Sequence, residues 1–154
     1  MERTLVLLKP DAVQRGLIGP ILTRFEAKGL KVVALKLRQF PVQLIEKHYE
    51  AHKARPFYKS LVSFMTSGPA VALVLEGRNA IEVTRKLMGK TDGAESEPGT
   101  IRGDFALSRS NNLVHGSDSP KAAETELSLF FPDAAEVCEW NSPQFPWVYG
   151  PEER

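Results

Sequence analysis

Two short, unbroken apolar runs set the terms for this fold. Arg3 to Lys9, RTLVLLK, and Ala70 to Glu76, AVALVLE, are too short for buried helices and show no alternation in their apolar centres, so both read as buried strands, the first as a central one. Pro10 stops the first, and Ser67-Gly68-Pro69 turns the chain into the second. Leu30 to Phe40 alternates at its C-terminal end and reads as a third strand, ended by Pro41, while Leu113 to His115 reads as a short fourth. Helical stretches fall between them. They run from Ala12 to Leu17 behind Asp11, from Pro20 to Gly29, from Val42 to Ala54, from Phe57 to Met65, from a capping Asn79 to Met88, and from Pro120 to Phe130 behind Ser119. This order predicts an α+β fold: a split β-α-β sandwich with a four-stranded sheet and its helices on one face.

The 154 residues suit one domain, 1–154. From Lys90 to Arg109 the periodicity gives way to Gly, Pro, Ser and charge, and a patternless stretch of that length in a compact domain is usually functional. The segment of interest spans about 90–112, and a further extension rich in proline and aromatics spans about 132–154. Twenty Lys and Arg against 19 Asp and Glu leave no general basic field, so nucleic acid is not supported as a partner and any anion site must be local. The lone Cys138 cannot form an internal disulfide, and no apolar run is long enough for a membrane span, so a cytoplasmic protein is expected.

The densest chemistry lies in PGTIRGDFALSRSNNLVHGSDSP, from Pro98 to Pro120. His115 ends the last strand just before a helix whose start, Ser119 then Pro120, carries the usual entry residues. A neutral imidazole can accept a phosphoryl group if a carboxylate fixes its other nitrogen, and Glu126 on the following helix is placed for that. Phosphoryl transfer also needs spread negative charge neutralised; Lys9, Arg85 and Arg102 supply cations and Thr91 a hydroxyl. Phe57 can stack a base. Gly89-Lys90-Thr91 resembles the end of a phosphate-binding P-loop, but Thr84 stands where its first glycine is required. His48 and His52, one helical turn apart without a third ligand at diagnostic spacing, read as an exposed or packing pair rather than a metal site.

The stretches RTLVLLKPDAVQRGLIGPI, HYEAHKARPFYKSLVSFMTSGPAVALVLEG, PGTIRGDFA and NLVHGSDSPKAAETEL together resemble the nucleoside diphosphate kinases over nearly the whole chain. The resemblance implies a ferredoxin-like fold with an antiparallel sheet. It also implies ping-pong transfer of the γ-phosphate of ATP or another nucleoside triphosphate to a nucleoside diphosphate. By it, His115 would be the phosphorylated nucleophile, Glu126 would orient its ring, and Lys9 and Asn112 would hold phosphate and sugar. Tyr49 would lie near the phosphate path, Arg85, Thr91 and Arg102 would bind the β and γ phosphates, and Phe57 with Leu61 would cover the base. Mg²⁺ would be held mainly by the phosphates, with no protein metal site, and the tail WVYG implies a homohexamer. Arg109 stands where relatives often carry a small or aliphatic residue near the base. The competing expectation is a catalytically silent relative that binds nucleotides or partners.

Overall fold

The computed structural model describes Met1–Arg154. Four strands, β1 (Glu2–Leu8), β2 (Lys31–Arg38), β3 (Ala70–Gly77) and β4 (Val114–Gly116), form one sheet in the order β2-β3-β1-β4, with every neighbouring pair antiparallel. The two unbroken apolar runs are the two central strands, buried almost throughout, while β2 and β4 form the edges. Around the sheet lie eight α-helices. These are α1 (Pro10–Gln14), α2 (Ile18–Lys28), α3 (Val42–His48), α4 (Tyr58–Met65), α5 (Ala80–Met88), α6 (Ile101–Phe105), α7 (Pro120–Phe130) and α8 (Phe145–Val148).

The helices cover both faces of the sheet, not one. Val6, Leu8, Leu73 and Leu75 pack on Ala12 of α1, Ile21 and Phe25 of α2, Met88 of α5 and Ile101 of α6. Leu5, Leu7, Ala72 and Val74 pack on Ile45 of α3, Val62 and Met65 of α4, and Phe130 of α7. The cause is the one that made the runs conspicuous. A strand apolar at successive positions has no face to leave in water, so the sheet needs cover on both sides.

Three further expectations are revised. The helix after Pro41 stops at His48 and continues as a 3₁₀ turn over Glu50–His52. Asn79 occupies the N-cap position of α5 in a left-handed conformation (φ 52°), but its side chain caps nothing; Glu2 Oε2 instead accepts from Ile81 N at 2.9 Å. The stretch from Lys90 to Arg109 is not patternless, since it holds a 3₁₀ turn at Gly93–Glu95 and α6. Asp92 accepts from Ala94 N and Thr100 Oγ1 from Gly103 N, while Arg24 of α2 ties Asp104 down at 2.6 Å. Gly103 permits this packing, because a Cβ there would fall 1.9 Å from Glu97 O. Ser119 behaves as read: its Oγ accepts from Ala122 N at 3.1 Å and starts α7 at Pro120.

A candidate phosphoryl-transfer site around His115

On β4, His115 pairs with Leu7, so its side chain shares the Leu5 and Leu7 face of the sheet, the face covered by α3, α4 and α7. On α7, Glu126 lies three residues after buried Ala123 and four before buried Phe130, which puts it on the stripe facing the sheet. The two meet. His115 Nε2 and Glu126 Oε2 are 2.7 Å apart, and Ser117 Oγ donates to Glu126 Oε1 at 2.6 Å. Burial alone would raise the Glu126 carboxyl, but the bonds from His115 and Ser117 outweigh it and hold the group below the usual carboxylate range. An ionised Glu126 accepts the Nε2–H of His115, which leaves Nδ1 as the ring's lone-pair nitrogen.

Lys9 follows Leu8 at the end of β1, and its backbone N–H bonds to Leu113 O at 2.8 Å. Leu113 is wholly buried with φ 73°, a conformation of order 1–3 kcal/mol above the ordinary one for such a side chain. Two contacts hold it there: that bond, and donation from its own N–H to Asp11 Oδ2 at 3.1 Å. The kink lies between Asn112 and β4, and Lys9 Nζ donates to Asn112 Oδ1 at 2.8 Å. The Asn112 amide donates in turn to Thr91 O and Arg109 O. Arg102, 7% exposed, donates to Asn112 O (3.2 Å), Gly89 O (3.0 Å) and Val114 O (2.7 Å), stitching α6 to the end of α5 and to β4. Arg85 lies exposed on α5 with Nη1 donating to Gly116 O at 3.2 Å.

None of these three cations pairs with a carboxylate, whereas Arg3, Arg24, Lys31, Lys36, Arg78 and Lys86 all do. Burial, and then the charge of Arg102, pulls Lys9 down to about 8; burial, and then Arg85, pulls Arg102 down to about 10. Three positive groups near a carboxylate-held imidazole, none of them in an ion pair and only Lys9 in the field of a nearby carboxylate, Asp11, leave positive charge that a bound anion would neutralise.

Thr91 is exposed and meets this cluster through its carbonyl. Phe57, 48% exposed before α4, packs near His52, and Leu61 is half-buried one turn further on; neither bonds to the cationic cluster. Tyr49 is buried, with its hydroxyl unpartnered, and burial holds it well above the usual phenol range. His48 and His52 are not a pair. His52 is exposed, while the His48 side chain is 2% exposed, with Nδ1 3.5 Å from Glu126 Oε2 and its ring 4.7 Å from that of His115. Burial, and then His115, pulls His48 down to about 3, so it stays neutral. The signal was present: His48 follows buried Ile45 by three residues, on the stripe that enters the core. His48, His115 and Glu126 bring two nitrogens and an oxygen within 4.8 Å of one another, a donor set that suits transition metals better than Mg²⁺.

A family model described as nucleoside diphosphate kinase matches residues 2–135. The chain belongs to the nucleoside diphosphate kinase family. It is 53% identical over 154 residues to the nucleoside diphosphate kinase of Archaeoglobus fulgidus, covering all of both chains. It is 56% identical over 140 residues to that of Thermoplasma acidophilum, covering 91% of this chain and 94% of the relative. Among solved structures, the Halobacterium salinarum nucleoside diphosphate kinase in complex with CDP superposes with a TM-score of 0.94 at 49% identity, covering 96% of this chain and 98% of the other. A family protein from Babesia bovis gives 0.93 at 44%, covering 97% and 100%. The fold is thus that of the nucleoside diphosphate kinases, and the enzyme is a phosphotransferase acting on nucleotides, moving the γ-phosphate of a triphosphate to a diphosphate. No helix is long and apolar enough to cross a membrane.

Proposed function

We propose that His115 carries the phosphoryl group between the two nucleotides, on Nδ1. The observation that carries this reading is the 2.7 Å contact between His115 Nε2 and Glu126 Oε2, which occupies one ring nitrogen and leaves the other as the nucleophile. Nδ1 attacks the γ-phosphorus, the bond to the diphosphate oxygen breaks, and the nucleoside diphosphate leaves. A second diphosphate then takes the group by the reverse step. Lys9, Arg85 and Arg102 neutralise the oxygens in flight, and Asn112, held by Lys9, meets the sugar. Thr91 donates to phosphate, Tyr49 lines the phosphate path, and Phe57 with Leu61 covers the base, whose π-face makes such contact tolerant of base identity. Mg²⁺ would be held mainly by the nucleotide phosphates and would supply charge neutralisation there, with exposed Asp118 the carboxylate that could approach it; the nitrogen-rich set at His115 fits poorly to Mg²⁺.

Incubation with γ-labelled ATP and no added diphosphate tests the two-step route. Up to one labelled, acid-labile phosphoryl group per chain, with an equal amount of ADP released, is expected in the intact chain and absent in His115→Ala; transfer to an added diphosphate with no phosphoryl group ever held on the chain would sink it. The unpaired cations tell against the silent-relative reading only together with the His115–Glu126 contact, since a pure binder needs the first and not the second.

Lys9 gives a pH prediction with two opposite signs. In the free enzyme it loses its charge as pH rises through about 8, so kcat/KM for ATP falls there, while bound phosphate restores the proton and kcat holds to higher pH. Between about 8 and its ordinary 10.5 the unfolded chain binds the extra proton, so this group's share of stability rises with pH over that same window. A flat kcat/KM profile up to pH 9.5 would count against the role of Lys9.

The chain acts as one domain in a cytoplasmic homohexamer on this reading. Leu107, 89% exposed next to α6, and Trp147, 90% exposed on α8, are apolar surfaces that an assembly would cover. Light scattering should give six times the 17.1 kDa chain mass, and a tetramer or monomer would refute it.

A further inference from the structure

One ring in the site has no part in the steps above. The His48 side chain is nearly inaccessible, and neither of its ring nitrogens has a hydrogen-bond partner. Its ring stands edge-on to that of His115 (4.7 Å, 90°) and to that of Phe130 (5.2 Å, 84°). For packing alone this is a poor choice, because a buried polar ring without partners destabilises a core that an apolar ring would fill. Something other than packing is served by its nitrogens.

We propose that His48 is a positioning residue for phosphoryl transfer, holding in reserve an Nδ1–H donor that closes on Glu126 Oε2 when His115 carries the phosphoryl group. The inference rests on the reading that His115 is the residue phosphorylated. Glu126 already receives Ser117 on Oε1 and His115 on Oε2, and Oε2 has a second lone pair. His48 Nδ1, at 3.5 Å from that oxygen, is too far for a good bond. A shift of about 0.5 Å brings it to the usual N–H···O separation.

Phosphorylation supplies the reason for the shift. A phosphoryl group on Nδ1 draws electrons from the His115 ring and sharpens its Nε2–H as a donor, so Glu126 must stay ionised and fixed at that moment. A second donor from a neutral ring does both, and no proton changes hands. The edge-on contact limits the swing of the His115 ring meanwhile, keeping Nδ1 presented.

Two variants separate the donor from the ring. His48→Phe keeps the packing and removes the nitrogens; His48→Asn gives up the ring and places an amide N–H close to where Nδ1 stood. The readouts are melting temperature, KM for ATP, and the single-turnover rate of phosphoenzyme formation. His48→Phe should melt no lower than the intact chain and keep KM within about twofold, yet form phosphoenzyme about 10- to 100-fold more slowly, the scale of a small misplacement of a reacting group. His48→Asn should recover most of that rate despite the lost packing. A wild-type rate in His48→Phe, or an Asn variant no faster than the Phe variant, overturns the proposal. Nitrogen-15 NMR of the intact chain tests it without substitution, since the His48 Nδ1–H resonance should move downfield on phosphorylation and a static resonance would contradict the closure. Absence of any phosphoenzyme in the intact chain would instead remove the reading on which the inference stands.

Discussion

Arg102→Ala is expected to lower the melting temperature by about 10 °C and kcat/KM by at least about 10³-fold. The two losses have separate causes. Arg102 is almost wholly buried, and its guanidinium satisfies three backbone carbonyls, those of Gly89, Asn112 and Val114. Alanine leaves all three short of a charge-assisted donor; even with water entering the hole, about 3 kcal/mol of stability goes. The catalytic loss follows from the proposed second task of the same group. Three of its five N–H groups are committed to carbonyls, which leaves two to meet the phosphoryl oxygens in the proposed mechanism. Arg102→Lys separates the tasks: it keeps the charge but cannot fork to three acceptors, so it should recover part of the activity and little of the stability. Equal melting temperatures for the intact chain and Arg102→Ala would show that the three carbonyl contacts do not hold α6 in place.

Glu126→Gln should leave the fold intact and lower kcat by about 10²-fold with KM for nucleotide little changed. An amide can still accept from His115 Nε2–H with its oxygen and donate to Ser117 Oγ with its nitrogen, so the geometry at 2.7 Å and 2.6 Å survives. What disappears is the negative charge that, in the proposed mechanism, stabilises a ring growing more positive as the phosphorus–nitrogen bond forms. Because Glu126 sits below the ordinary carboxylate range, the intact enzyme keeps that charge across the working pH range. Rapid-quench measurement of phosphoenzyme formation is the direct check. An unchanged rate in Glu126→Gln would mean that orientation alone, and not charge, is what Glu126 provides.

The chain's own pattern makes the sheet legible, and the resemblance names residues that the structure gathers near His115; the contacts among them depend on distant segments. The runs at Arg3–Lys9 and Ala70–Glu76 read as strands because a strand buried on both faces tolerates successive apolar residues, and that same property contradicts the expectation of helices on one face only. Ser119 was readable because an N-cap is a local device. Asn79 misled for the complementary reason: its position suits a cap, but the acceptor for the first turn of α5 comes from Glu2, at the far end of the chain. Arg102 could be named as a phosphate ligand by resemblance, while its three carbonyls are fixed only by the meeting of α5, α6 and β4. The stretch from Lys90 to Arg109 is ordered by caps at Asp92 and Thr100 that polar composition disguised as loop. His48 is hidden in the sequence because its one-turn spacing to His52 suggests a pair, while the structure puts it on the buried stripe that starts at Ile45.

Whether His115 takes the phosphoryl group on Nδ1 while Glu126 holds Nε2 can be read by incubating ¹⁵N-histidine-labelled protein with ATP and Mg²⁺ and correlating ³¹P with ring nitrogens at alkaline pH. One acid-labile phosphoryl group coupled to His115 Nδ1, absent from His115→Ala and discharged by added GDP, is the result expected. Phosphorus coupled to Nε2, or phosphorylation that persists in His115→Ala, would rule out Nδ1 of His115 as the carrier.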